Sequence, residues 1–323
     1  MRIVVTGGLG FIGSEFVRQG SQANHEIFII DKMTYASDLQ NVSDCLENVK
    51  DISIFDISDE VALNSYFKKI SNIDLVVNFA AESHVDRSIN SGLIFAKSNI
   101  IGVVNLLEEL KRNSFGRLIQ ISTDEIYGSI DSGFWNELAK IDPRSPYSST
   151  KASAELLCKA YGHTFDLPIV ITRCANNFGP RQSCEKFIPR SILLASLDEN
   201  IQIYGDGKNR REWVHVSDHA AAIFEIINHE GLRFGDFNIG GQEKSNIEIA
   251  KMLLNIMEKD DSKIEYITDR PGHDFRYSVD DSKLRNLTKW KPNLNFETGI
   301  IDTIKWYQEN IEWAMESKRK SNL

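Results

Sequence analysis

The chain has 323 residues, of which 41% are hydrophobic and 26% charged, and a net charge of −9. That length predicts about two domains, and the acidic balance argues against a nucleic-acid or anionic-membrane partner, since both call for a basic face. A strand-like run begins at once with no secretory h-region before it, no stretch is apolar enough to span a bilayer, and the four cysteines (Cys45, Cys158, Cys174, Cys184) lie far apart without C-x-x-C spacing. A cytoplasmic protein with reduced thiols and no metal site is expected.

In chain order, "RIVVTGG", "EIFIIDK", "LVVNFAA", "RLIQIST" and "PIVITRC" read as strands. Their unbroken Val and Ile content suits strands covered on both faces. Helical patterns such as "SGLIFAKSNIIGVVNLLEELKRN" and "SSTKASAELLCKAYGHTF" fall between them. The alternation predicts an α/β fold with a Rossmann-type, doubly wound parallel sheet. After about Gly179 the rhythm loosens, although helices remain in "KFIPRSILLASLDEN", "NIEIAKMLLNIMEKD" and "FETGIIDTIKWYQENIEWAM". The expected division is residues 1–178 for a nucleotide-binding domain and 179–323 mainly for a smaller α/β substrate-binding domain, with some segments returning to the first.

The stretch "VVTGGLGFIGSEF" sets Gly7, Gly10 and Gly13 between the first strand and the first helix. Glycines there let the backbone approach a pyrophosphate seated on the helix N-terminus. The triplet alone is a weak signal; its place between strand and helix strengthens it. Asp31 ends the second strand, where a carboxylate can hold both ribose hydroxyls of NAD and repel the 2′-phosphate of NADP. Lys32 beside it softens that repulsion.

Two further motifs carry chemistry. Tyr147 and Lys151 in "SPYSSTKASAE" are spaced i, i+4 and share one helix face. A free tyrosine has a pKa of about 10, and a neighbouring ammonium favours the phenolate, so Tyr147 is expected to accept a proton near neutrality. Taken alone, such a pair is more often a surface contact. "STDEIYGS" puts Asp124 and Glu125 side by side at the end of a strand. Two neighbouring carboxylates resist both being charged, so one can stay protonated as an acid beside the other as a base.

With "AAESHVDRSI", "NNFGP", "IYGDG", "NIGG" and "DRPGHD" added, the sequence resembles the extended short-chain dehydrogenase/reductase family over nearly its full length. Within that family it is similar to the nucleotide-sugar 4,6-dehydratases, most of all the dTDP-glucose branch. The resemblance implies NAD as cofactor and a nucleotide-diphosphate sugar as substrate. Water is lost across C5–C6 through a 4-keto intermediate, with dTDP-glucose giving the 4-keto-6-deoxy sugar. It implies Thr123, Asp124, Glu125, Tyr147 and Lys151 as the catalytic set, Glu125 as the C5 base and Asp124 as the acid. Around NAD it implies the three glycines with Phe11 and Ile12, Asp31 and Lys32, Asp56 and Ile57, and Phe79 to Ala81. Ser83, Asn99, Ser122, Cys174 and Asn176 complete that shell with Tyr147 and Lys151. Around the substrate it implies His84, Thr123, Asn177, the Glu185–Lys186–Phe187 run, Ile203, Tyr204, Arg211, Asn246, Arg270 and His273. A homodimer is implied through residues 92–112 and 147–163, whose apolar faces include Leu106, Leu107, Leu110, Leu156 and Leu157. Ser183-Cys184, Phe178, Arg181-Gln182 and "YASDL" depart from the family's usual residues. They leave UDP-N-acetylglucosamine, with a 4-keto or 5,6-ene product, open as the alternative, and an epimerase or decarboxylase as the runner-up.

Overall fold

The Val- and Ile-rich runs form the middle of a seven-stranded parallel sheet. The computed structural model describes residues 1–269 and 273–321. In chain order the strands are β1 Arg2–Thr6, β2 Glu26–Asp31, β3 Val49–Ile54, β4 Leu75–Asn78, β5 Leu118–Thr123, β6 Ile169–Cys174, β7 Asn176–Phe178, β8 Ile201–Tyr204, β9 Arg210–His215, β10 Gly235–Ile239, β11 Gln242–Ser245 and β12 Ile264–Ile267. The large sheet has the order β10-β6-β5-β4-β1-β2-β3. β4, β5 and β6 are buried at every position, as strands covered by helices on both faces should be. β3, in contrast, is a half-buried edge strand with Lys and Asp in it.

The chain runs outward from β1 to β2 and β3, then crosses to β4 on the other side of β1. This reversal splays the connections apart and opens a crevice at the carboxyl ends of β1 and β4. The pieces expected to bind ligand all leave those ends: residues 7–13 after β1, Asp31 at the end of β2, 79–83 after β4, 122–125 after β5 and 174–177 after β6.

The later part of the chain builds a three-stranded sheet, β11-β9-β7, and a two-stranded one, β12-β8. Helices Phe187–Ser196, Asn246–Ile256, Phe296–Glu309 and Ile311–Lys320 gather on their own core with Phe178, Ile192, Leu193, Leu253, Ile304 and Tyr307. β10 goes the other way and pairs with β6 in the large sheet. The expected single helix over "FETGIIDTIKWYQENIEWAM" is broken at Asn310.

Two helices border the crevice, one lending Tyr147 and Lys151 to its lining and the other Ser98. Pro146–Phe165 opens with Pro at its first turn and a reciprocal Ser145–Ser148 capping box, which satisfies two otherwise orphaned N–H groups. The helix over residues 92–111 contains one π-helical stretch, Lys97–Ile101. Leu106, Leu107 and Leu110 on it are core residues, packed with β4 and β5 residues Val76 and Leu118. They therefore face the sheet and not a partner, as some of the five named leucines must. Leu157 packs against the same cluster. Leu156 is 57% exposed, and so are Leu93 (81%) and Ile101 (49%) on the neighbouring helix.

Candidate active site

The glycines after β1 shape one half of the crevice. Gly7 has φ 69°, and a Cβ there would stand 2.7 Å from the Ala80 nitrogen. A Cβ on Gly13 would stand 2.2 Å from the Gly7 carbonyl. Both positions require glycine on packing grounds alone. Gly10 is different: a Cβ would approach only the Gly7 carbonyl, at 3.3 Å, and would otherwise project into open cleft. Gly10 is also the N-cap of helix Phe11–Gln22, whose first turn carries neither a capping side chain nor an acid. Its N–H groups are left for an anion.

Asp31 stands beyond them, 6% exposed. Its carboxylate accepts from Leu9 N at 3.1 Å and Met33 N at 2.8 Å, and burial raises its pKa. Lys32 turns away from it to Glu82 at 2.9 Å, the Ser98 hydroxyl at 2.7 Å and Asp56 at 3.8 Å. That ammonium is thus neutralised locally, and the doubt it cast on NAD over NADP falls away. Phe11, Ile12, Ile57, Phe79, Ala80, Ala81 and Ser83 line the same cleft. So does Ser122, whose buried hydroxyl has no protein partner. A glycine whose missing side chain leaves room, an uncapped helix start, a braced ribose-height carboxylate and an orphaned hydroxyl fit NAD.

The other half carries the acids. Thr123 ends β5 and caps the turn Asp124–Tyr127, accepting from Glu125 N at 3.3 Å and donating to Asp124 Oδ1 at 3.2 Å. Asp124 is 3% exposed and its Oδ2 has no hydrogen-bond partner. Burial first, then the charges of Glu125 and Glu212, push its carboxyl up to about 8, with Arg211 opposing. Its surroundings therefore favour the protonated form near neutral pH. Glu125 beside it is half-buried and also lines the cleft. Burial thus outranks the adjacent charge on which the spacing argument rested, and Glu212 adds to it, itself pushed up to about 7 chiefly by burial.

Tyr147 and Lys151 face the same cleft from helix Pro146–Phe165. The expected phenolate is not favoured in this state. Lys151 donates to the Ile121 carbonyl at 2.6 Å, and burial lowers it to about 8. Burial, then Glu125, pushes Tyr147 well above its usual range, while its hydrogen bond with Thr123 pulls the other way. Shared helix face did not fix where the long lysine side chain would end.

The remaining expectations divide. Asp56, Cys174, Asn176, Asn177, Glu185, Lys186 and Phe187 line the cleft. Asn177 is nonetheless committed within the protein, donating to the Ala175 carbonyl at 3.0 Å and sharing Oδ1 with His219 at 2.9 Å. Asn99 does not line it: its amide closes on the Glu82 backbone and the Thr150 hydroxyl. His84 caps the short helix Val85–Asn90 instead. Ile203 is 1% exposed within the core beside Ala250 and Leu254. Arg211 is no free fork: it donates to the carbonyls of Arg210, Asp274 and Phe275 and stacks on Tyr277 at 4.4 Å. Tyr204, Asn246 and His273 stand outside the cleft lining; Tyr204 and His273 meet edge-on at 6.2 Å, and His273 Nδ1 lies 2.7 Å from Asp269. Arg270 lies outside the described residues. Ser37, Gln182 and Ser183, marked in the sequence only as departures from the family's usual residues, line the cleft as well, and sequence reasoning missed Trp213 beside them. Trp213 had a signal too, directly after Arg211-Glu212 in "RREW".

Comparison with known proteins bears on this geometry. A family model described as GDP-mannose 4,6 dehydratase matches residues 4–303. A dTDP-glucose 4,6-dehydratase of Streptomyces niveus is 40% identical, covering 97% of this chain and 94% of its own. Among solved structures, the dTDP-glucose 4,6-dehydratase DesIV of Streptomyces venezuelae, with NAD and dTDP bound, superposes with a TM-score of 0.93 at 39% identity, covering 98% of this chain and all of its own. A UDP-glucose 4-epimerase of Thermotoga maritima gives 0.89 at 27% identity, over 96% and 100% of the two chains. The shared fold thus spans both a dehydratase and an epimerase. With a match of this extent, the chain belongs to the GDP-mannose 4,6 dehydratase family of extended short-chain dehydrogenase/reductases.

Proposed function

We propose that this chain is an NAD-dependent hydro-lyase that converts dTDP-glucose to dTDP-4-keto-6-deoxyglucose. The observation that carries the reading is the placement of its acid pair: Asp124, 3% exposed and raised in pKa chiefly by burial, next to a half-buried Glu125, both lining one cleft with Tyr147. NAD, when bound, supplies the acceptor for the C4 hydrogen and its electron pair and returns them at C6. Tyr147, hydrogen-bonded to Thr123, would take the 4-hydroxyl proton as its phenolate, a form that the positive charge of bound NAD would favour over the neutral phenol preferred without it. The C4 ketone then acidifies C5–H, and Glu125 removes that proton. Asp124 gives its proton to the departing 6-hydroxyl, so water leaves and Asp124 becomes the carboxylate. A solvent-derived proton at C5 completes the product, with no net oxidation. Burial that keeps Asp124 neutral makes it a competent acid near pH 7.

The test is a product assay by mass with dTDP-glucose, UDP-N-acetylglucosamine and GDP-mannose offered in turn. Loss of one water from dTDP-glucose in the largest yield supports the reading; preferential dehydration of the UDP sugar reassigns the substrate, and epimerisation without mass change rejects the lyase. Among the described residues no helix is long and apolar enough to cross a membrane, in keeping with a cytoplasmic enzyme. The exposed Leu93, Ile101 and Leu156 support a homodimer built on helices 92–111 and 146–165, which light scattering at micromolar concentration would check.

A further inference from the structure

Glu185 is a carboxylate with almost no access to water. Its side chain is 2% exposed, yet it lines the cleft. One oxygen accepts from the Tyr35 hydroxyl at 3.3 Å. The other has no hydrogen-bond partner, although His84 Nε2 stands 3.7 Å away and Arg87 Nε 3.8 Å. Lys186 Nζ lies 3.9 Å from the first oxygen. A buried carboxylate ringed by donors held just beyond hydrogen-bond range is costly unless something else completes it. A ring hydroxyl entering the cleft is such a group.

Arg87 is the common member of this cluster. Its guanidinium carbon lies 3.7 Å from the centre of the Tyr35 ring. Its Nη2 donates to the Ser321 carbonyl at 2.6 Å, and its Nε faces Glu185. Its backbone N–H donates to His84 Nδ1 at 3.3 Å. A neutral imidazole must then carry its proton on Nε2, toward Glu185, and burial does lower the pKa of His84. One flat cation therefore touches three separate segments: the loop after β2, the loop before helix Phe187–Ser196, and the end of helix Ile311–Lys320. That last helix holds the same two loops again, through Lys320 to Asp38 at 3.1 Å and through Ser317, which accepts from Cys184 N at 3.1 Å. Lysine could supply the charge but neither the stacking face nor the second donor edge.

We propose that Arg87 is a positioning residue that aims the open oxygen of Glu185 at a hydroxyl of the hexose. Through Tyr35 and Ser321 it ties that aim to the loop at the cofactor end of the cleft. The inference rests on the sugar-nucleotide reading above. It predicts a defect confined to the sugar, because the nucleotide diphosphate does not need Glu185.

The experiment compares NAD-loaded, full-length wild type with Arg87→Met, Arg87→Lys and Tyr35→Phe. KM and kcat are measured for dTDP-glucose, and Kd for dTDP by calorimetry. Arg87→Met should raise KM about 10- to 100-fold, the worth of a hydrogen bond to a charged group, with kcat within about 3-fold and dTDP affinity within about 2-fold. Arg87→Lys should recover less than half of that loss on a logarithmic scale. Tyr35→Phe keeps the stacked ring and loses only the hydroxyl, so a smaller KM rise of about 3-fold is expected, readable even if Arg87→Met fails to fold. An unchanged KM, or dTDP affinity falling in step with KM, overturns the proposal. If the wild type turns over no sugar nucleotide, the dehydratase reading fails by itself. Calorimetry of dTDP-glucose against dTDP then tests Arg87 without turnover.

Discussion

Replacing Asp124 by Asn should make the protein more resistant to heat as pH rises, and far less active. Folding lifts this carboxyl from 3.8 to about 8, mainly by burial. Between those values the folded chain keeps a proton that the unfolded chain releases. The group's contribution to stability therefore falls by up to about 1.4 kcal/mol for each pH unit. Below about pH 4 both states are protonated and nothing is lost; above about pH 8 the whole cost is present. From pH 5 to pH 8 the loss is roughly 2–4 kcal/mol, the lower figure allowing for relaxation around the charge. Asparagine has the same shape and does not titrate. At about 2.1 cal/mol/K per residue over 323 residues, each kcal/mol moves Tm by roughly 1.5 °C. The variant's Tm relative to wild type should thus climb by about 3–6 °C between pH 5 and pH 8. The climb is the readout, because the amide brings a pH-independent offset: its N–H₂ must find a partner where Oδ2 now has none. Melting is followed for both proteins at one NAD concentration and ionic strength, while turnover should drop about 100- to 10,000-fold. A Tm difference that stays flat from pH 5 to pH 8 would refute the claim that Asp124 is kept neutral by its surroundings.

What could be read in the sequence obeys a physical line. Central strands such as β1, β4 and β5 announce themselves because burial on both faces demands unbroken apolar residues. β3, an edge strand half open to solvent, and β10, which reads "GDFNI", carry no such signature. The glycine triplet and Asp31 were legible because backbone sterics and ribose geometry act over one strand-turn-helix unit. The acid pair was legible as two adjacent carboxylates, but the burial that chiefly raises Asp124 was not. Contacts between distant segments were not. The Ile121 carbonyl that captures Lys151, and the carbonyls that occupy Arg211, lie on other elements and leave no local pattern. The stack of Arg87 on Tyr35 joins the short helix after β4 to the loop after β2, and nothing in either stretch alone requires it. Ile203 was misassigned because its motif neighbours Tyr204 and Gly205 mark a turn, while its own side chain points into the core.

Asp31→Ala should weaken NAD binding by about 10-fold or more and NADP binding much less, since Lys32 is already paired with Glu82; equal losses by calorimetry would remove the ribose role. Arg173→Met should cost about 3–5 kcal/mol, because it strands buried Glu155 (2.7 Å) and releases the Tyr127 hydroxyl (2.7 Å) that steadies the Asp124–Tyr127 turn. A Tm unchanged within about 1 °C would contradict that. The last prediction separates the roles of the three catalytic groups by where each variant stalls. Tyr147→Phe has nothing to take the 4-hydroxyl proton, so neither NADH absorbance nor solvent deuterium at C5 should appear. Glu125→Gln keeps Tyr147 and should reach the 4-ketone, giving absorbance without exchange. Asp124→Asn keeps both and should show absorbance and exchange, with elimination slowed. The order matters more than any single rate, because a general folding defect lowers all three signals together. Exchange at the wild-type rate in Glu125→Gln would mean that the C5 proton leaves by another base, and that Asp124 and Glu125 adjoin for a reason other than acid and base on neighbouring carbons.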